Sequence, residues 1–462
     1  MRQNALPIGF LSIFFVLLVI ASSGPIQWMD NGNLMHIAAH DGLFPMHVDA
    51  LSHPAFHLLS VIVFRLFGPE LLSLLNVFLL ALAGCLVYRI VIRLGESREV
   101  AWLAVFAMMA CHSVIWVATK FEVYFLCMDF VLLFVLRYIS PGAGLLSHQF
   151  LLGLLAGFAL ASHQIALLML LPFGLVLIMR GQGLFALLAG CLVGLFPLFP
   201  AVVNDLKAGT GILQLVLNFL MVGGGRYQID YQSSFMDIEG LLHSLPQTAL
   251  LLLSLVGIAG LGLLSAGQRG ASRLIYLSGV LVAVFAILYR VDDKFTFLAP
   301  AIPFLAISGA IFLRSLDLTK RKLILLSMLS FLPMLLMHLA ILMFSAQLQM
   351  LGRAGGVPER SDIVYYGAPL LGDDSAERFV RRLQKVGGVM PIYADWSSLG
   401  ALQSGQVMGY LPGLVVDYCG NLPGGNAPAT LLLVRKHIQC ELLFTRYAPV
   451  GMSHGAMILQ RI

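Results

Sequence analysis

The feature that most constrains this chain is a succession of long apolar runs, separated by short polar breaks, along most of its 462 residues. A run of roughly 17 or more apolar residues is long enough to cross the hydrocarbon core of a bilayer, where only a helix satisfies its own backbone hydrogen bonds. Charged residues make up only 11% of the chain and hydrophobic ones 59%. A soluble domain carries about 25% charged residues, so a water-soluble fold is excluded.

The runs lie near Pro7 to Ser22, Leu71 to Ile92, Val100 to Val117, Val123 to Leu136, Phe150 to Ala161, Ile165 to Met179, Leu184 to Val203, Pro246 to Leu264, Leu274 to Leu288, Phe297 to Leu313 and Leu323 to Phe344. Read as helices, they predict about eleven spans. The first is followed by Pro25-Ile26-Gln27-Trp28 rather than by a small-residue cleavage site, so it reads as an uncleaved helix.

The net charge of +5 is carried in short clusters between runs: Arg89, Arg93 and Arg98; Arg137; Arg180; Arg269 and Arg273; Arg314, Lys320, Arg321 and Lys322. With a cytoplasmic N-terminus, all of these fall on the cytoplasmic side, as the positive-inside rule requires. They report topology and not nucleic acid. The assignment makes the chain a multi-pass protein of the cytoplasmic (inner) membrane. A transmembrane domain spans 1–347, with external loops 23–70 and 204–245, and an extracytoplasmic domain spans 348–462.

That last segment changes rhythm. Ile363 to Tyr366, Met390 to Ala394, Leu414 to Asp417, Leu431 to Val434 and Met457 to Leu459 read as short strands. Ser375 to Lys385, behind an Asp-Asp cap signal, and Ser397 to Tyr410 have helical spacing, which predicts a small α/β domain. Cys85, Cys111, Cys127 and Cys191 read as packing residues. Cys419 and Cys440, outside the cytoplasm, read equally as a disulfide or as two thiols, and no Cys/His zinc spacing is present.

Polar chemistry collects on the external side. The first loop holds Asp30 just past the first span, then His36, His40, Asp41, His47, Asp49, His53 and His57. Asp30 reads either as a general base at the membrane boundary or as a helix cap. The i, i+4 spacing of His36 and His40 would suit a metal, although histidines at an interface more often bond lipid phosphate or backbone. The second external turn carries His112, Trp116, Lys120, Glu122 and Tyr124, which read as an ionisable patch or as interface markers. His163 interrupts an apolar stretch. Gly223-Gly224-Gly225-Arg226 would bring backbone donors and a guanidinium to a phosphate. Arg290-Val291-Asp292-Asp293-Lys294 forms one more charged turn.

Several of these pieces, in this order, resemble a bacterial family of membrane proteins of unknown function related to the eukaryotic transmembrane protein O-mannosyltransferases, within the GT-C glycosyltransferase superfamily. Asp30-Asn31-Gly32-Asn33 stands where that family has Asp-Ser-Gly-Glu, followed by His53-Pro54. Trp116 and Glu122-Val123-Tyr124 match the second external loop, Gly153 to His163 a Gly-rich stretch ending in His, and Ala394-Asp395-Trp396 a motif of the soluble domain. Asn33 in place of Glu, and Ala55-Phe56 after the His-Pro, are departures that point to a different acceptor or an impaired site.

The resemblance implies a GT-C-like helical membrane fold and an inverting transfer of a sugar from a polyprenyl-phosphate donor to an acceptor protein, lipid or glycan on the external face. A lipid phosphate leaves without a proton, so one base on the acceptor hydroxyl suffices, and Asp30 is the residue expected to supply it. Lys120, Arg226, Arg290 and Lys294 are the cations expected at the phosphate, while His53, Glu122, Tyr124 and His163 would orient substrate. The pattern requires no cofactor, with a divalent metal the less favoured alternative.

A transporter or flippase of a lipid-linked or small polar substrate would also need many spans, but its ionisable groups gather near the midplane and its halves often repeat. Here no repeat is found and the polar residues collect on one face. A non-catalytic scaffold is the third reading, kept open by Asn33.

Overall fold

The computed structural model describes residues 5–462 apart from 23, 50, 143–144, 221–244, 290, 292, 345–346, 348–356, 386–389, 421–427 and 436–437. The apolar runs form helices. In chain order these are α1 (Ala5–Ala21), α2 (Met29–His40), α3 (Pro54–Ser73), α4 (Leu75–Arg93), α5 (Arg98–Met109), α6 (His112–Thr119) and α7 (Tyr124–Tyr138). They continue with α8 (Leu146–Ser162), α9 (Ala166–Arg180), α10 (Leu184–Gly194), α11 (Phe199–Lys207), α12 (Ile212–Phe219), α13 (Leu245–Ser254) and α14 (Ile258–Leu261). The last four of this region are α15 (Gly270–Leu288), α16 (Ile302–Ser315), α17 (Lys320–Leu329) and α18 (Leu332–Met343).

Many of their large apolar side chains face outward: Ile13, Ile20, Leu66, Phe185 and Met179 are exposed. Around a core this apolar such surfaces meet lipid, and the chain is a multi-pass helical membrane protein.

The expected count of about eleven spans is not reached by length and composition alone. Among the described residues, five helical segments are long and apolar enough to cross a membrane, and eight if each bent pair is one span. The bends fall inside runs expected to be single helices: 65° between α5 and α6, 44° after α10 and 81° between α13 and α14. Leu146–Ser162 and Ala166–Arg180 are shorter apolar helices on either side of His163.

One of the five, α3, falls in the stretch read as external loop. Its backbone breaks at Gly68 (φ 83°) ahead of Pro69, which leaves Pro54–Phe67 short of the roughly 17 residues a span needs.

Close packing depends on glycine at two crossings. A Cβ on Gly153 or Gly157 of α8 would meet the backbone of α10 at 1.9 and 2.3 Å, and Gly190 and Gly194 mirror them. Gly309 of α16 lies as tightly on Ile258. Small residues of this kind let helix backbones approach without a side chain between them. At the centre, most residues of Thr296–Ser315 are buried among their neighbours.

After the membrane region, α19 (Asp362–Gly367), α20 (Ser375–Gln384), β1 (Ile392–Ala394), α21 (Trp396–Val407), β2 (Val416–Tyr418), β3 (Thr430–Leu433), β4 (Tyr447–Ser453) and β5 (Ala456–Arg461) build the α/β domain. The sheet order is β2-β1-β3-β5-β4. β1 runs parallel to β2 and β3, with Ile392 opposite Val416 and Leu432, and β5 runs antiparallel to β3 and β4. Cys419 and Cys440 form a disulfide.

Two expectations are corrected here. Ile363 to Tyr366 is helical, because Tyr365 and Tyr366 turn into a buried aromatic cluster with Trp116. The strand Tyr447–Ser453 was missed, because Pro449 and Gly451 obscure its pattern. It lies at the sheet edge with a register shift between those two residues, where both are tolerated.

Candidate active site

The site grows from the N-terminus of α2. Met29 opens that helix at φ 56°, and His53, which precedes α3, sits at φ 39°. Non-glycine residues hold such angles only where their surroundings impose them, and both lie at this site. The domain after the membrane region clamps the α2 N-terminus. Gln27 N–H donates to Ser404 Oγ (3.2 Å), and Trp28 Nε1 donates to Ser375 Oγ (2.7 Å) while its ring lies on Phe379. Gly32 and Gly400 approach so closely that a Cβ on either would strike the other helix's backbone, at 2.2 and 1.9 Å.

Asp30, in the first turn of α2, accepts a hydrogen bond at Oδ1 from Trp396 Nε1. Burial raises its carboxyl above the ordinary range, against the lowering effect of that hydrogen bond. Glu122 stands in the turn between α6 and α7. Burial pushes it well up, and the charges of Asp293 and Asp30 add to the shift. Two buried carboxylates and the charge of Asp293 thus lie close together, a setting that favours the protonated form of at least one of them.

The turn bearing Lys120 and Glu122 is pinned from beneath. Asn76 Nδ2 donates to the carbonyls of Val117 (3.2 Å), Lys120 (2.8 Å) and Glu122 (2.7 Å), and Gln27 Oε1 accepts from Phe121 N–H (3.0 Å).

On the other side of Met29 lies a buried cationic pair. Lys120 Nζ and the Arg360 guanidinium each stand 4.7 Å from the centroid of the Tyr365 ring. Arg360 also stacks toward Trp28 and Tyr366, and its Nη2 reaches Tyr366 Oη (3.3 Å) and Met29 Sδ (3.5 Å). Each cation has an acidic neighbour: Asp373 lies 3.7 Å from Lys120 and Asp362 lies 2.8 Å from Arg360. Burial, with repulsion from Arg360, lowers the Lys120 ammonium, and Asp373 opposes this. Arg360 Nη1 and Tyr365 Oη are buried without a hydrogen-bond partner among the described residues.

The histidines of the site form a stack. His53 lies on His163, ring centroids 4.7 Å apart and planes 20° apart, and Tyr124 covers the other face of the pair at 5.1 Å from His163. Burial lowers His53 to about 4 and holds His163 well below its usual value, with His53 adding to the second shift. Both rings are therefore neutral donors and acceptors. Thr296 Oγ1 donates to Tyr124 Oη at 3.5 Å.

Of the residues singled out in the sequence, Asp30, Lys120, Glu122, Tyr124, His53 and His163 come together. Lys294 is buried in the adjoining turn with Asp293. Arg226 and Arg290 lie outside the described residues. The His36 and His40 rings lie 4.3 Å apart with planes tilted by 35°, and among the described residues no group of three or more His, Cys, Asp or Glu could hold a metal ion. Sequence reasoning missed Arg360, Tyr365, Tyr366 and Asp373, which carry no local motif. It noted Trp396 only as part of a motif.

By sequence the chain matches no protein-family model and no curated relative. By structure it is similar to ArnT from Cupriavidus metallidurans in the apo state, at 13% identity, over 100% of this chain and 99% of that one, with a TM-score of 0.60. It is also similar to ArnT from the same organism bound to undecaprenyl phosphate, at 11% identity, over 99% and 98%, with a TM-score of 0.56. The likeness runs through both the helical region and the soluble domain, so the chain shares the overall fold of that protein.

Proposed function

We propose that this protein is a membrane glycosyltransferase that moves a sugar from a polyprenyl-phosphate donor to an acceptor hydroxyl on the external face, with inversion. The observation that carries this reading is the meeting of a carboxylate base and a buried cationic pair on either side of Met29. Asp30 takes the proton of the acceptor hydroxyl as its oxygen bonds to the anomeric carbon. The bond from that carbon to the phosphate oxygen breaks, and the electron pair leaves on the phosphate. Lys120 and Arg360 receive the developing negative charge from fixed positions in a site closed to water, where such groups act most strongly. Glu122, raised by burial and by the charges of Asp293 and Asp30, leaves Asp30 as the carboxylate that ionises first, while His53, His163 and Tyr124 form a neutral stacking wall for a sugar ring.

Support comes also from the fold. A protein of the same fold binds undecaprenyl phosphate, a ligand with the phosphate and isoprenoid chemistry this site would need. The gathering of Asp30, Glu122, Lys120 and Arg360 about the start of one helix, α2, favours transfer over transport. The sidedness of the basic loops supports a protein of the cytoplasmic membrane with this face and the α/β domain outside.

The test is transfer of radiolabelled sugar from defined polyprenyl-phosphate donors to envelope material. Membranes with the wild-type chain are compared with membranes carrying Asp30→Asn at equal abundance. Removal of a general base is expected to lower transfer by about 10²- to 10⁴-fold. Wild-type membranes that label nothing from any donor would reject the proposal.

A further inference from the structure

The soluble domain does more than cover the site. Its sheet and helices converge on one side chain that reaches the residue proposed as base. Trp396 opens α21, and its indole N–H is the hydrogen-bond donor to Asp30 Oδ1. Asp395, immediately before it, caps the same helix by accepting from Ser398 N–H at 3.0 Å. Arg435, just after β3, holds Asp395 by an ion pair of 3.3 Å and donates to Ser397 Oγ at 3.2 Å. Cys419 N–H, just past β2, donates to the carbonyl of Ala394 at the end of β1 at 2.9 Å, which fixes the chain leading into Asp395. The close crossing of α21 and α2 at Gly32 and Gly400 then leaves no slack between Trp396 and Asp30.

We infer that Trp396 is a positioning residue of the transfer reaction, by which the soluble domain aims the Asp30 carboxylate and sets the pH at which it becomes a base. This rests on Asp30 being the base. An indole N–H stabilises the ionised carboxylate and cannot accept its proton, so it lowers the protonation threshold without competing for the acceptor. The other groups around Asp30 push the opposite way or stand farther off. Glu122 and Asp293 are acidic, Tyr124 is a neutral phenol at the start of α7, and Arg360 lies beyond Met29.

The experiment uses the full chain in lipid nanodiscs, with two readouts. The first is tryptophan fluorescence from pH 4 to 9, taken as the difference between wild type and Trp396→Phe. The Trp396 signal is expected to follow one titration, and Asp30→Asn, which keeps the indole, is expected to abolish it. A signal that does not titrate, or that titrates unchanged in Asp30→Asn, overturns the inference. The second is the pH profile of sugar transfer. Trp396→Phe is expected to move its rising limb about one pH unit upward, equivalent to a tenfold loss of ionised base below the limb, with most activity regained at high pH. A uniform loss at every pH would overturn the positioning role. If wild type transfers no sugar from any donor, the transferase reading fails and the fluorescence readout alone decides whether Trp396 governs Asp30.

Discussion

Asp30 and Glu122 have the same chemistry and are raised by the same cause, removal from water, yet they are held differently. Asp30 keeps one hydrogen-bond donor, while Glu122 faces two like charges. Between the ordinary carboxylate range and the raised value, the folded protein keeps a proton that the unfolded chain has released. Stability therefore falls as pH rises through that interval, and the ionised carboxylate opposes folding at neutral pH. Glu122→Gln is accordingly expected to raise the thermal midpoint near pH 8, by about 2–4 °C for each kcal/mol relieved, and to give no gain near pH 4. Thermal unfolding at the two pH values checks this outcome, and an equal gain at both would refute the charge argument.

Among the elements, α2 and α21 carry the geometry of the site through two glycines. Gly400→Ala would place a methyl against the Met29 carbonyl, and the two helices must part or the backbone must shift. The expected cost is about 1–3 kcal/mol, seen as faster proteolysis within the domain after the membrane region and a loss of transfer. The expression of a stable but inactive Gly400→Ala protein would separate aim from folding. Elements were legible in the sequence where a physical signal is local. Apolar length marked the helices, and alternation marked β1, β2, β3 and β5. The breaks inside helices were not all legible: Pro197 stands near one and Gly257 at another, but Ala110 and Cys111 at the 65° bend carry no breaker. Asp30, Lys120, Glu122, Tyr124, His53 and His163 were visible as polar residues beside apolar runs. Arg360 was not, because its partners Trp28, Tyr365 and Tyr366 are brought to it by packing across the fold and leave no spacing to read.

For the molecule as a whole, sidedness is the property on which the proposed chemistry depends. The Cys419–Cys440 disulfide belongs in an oxidising compartment, which agrees with the distribution of arginine and lysine between the runs. Val450 is exposed on the edge strand β4. A membrane-impermeant maleimide is expected to label Val450→Cys in intact cells, and labelling only after the membrane is opened would reverse the proposed orientation.

The bond between Asp30 and Trp396 joins positions 366 residues apart, which has a consequence for biogenesis. Asp30 leaves the ribosome early, ahead of every later helix. Its final environment arrives only when the sheet domain has been made and has docked. Competence is thus a late, post-insertional event, and a chain stalled before that step would carry an unshielded carboxylate with no activity of its own.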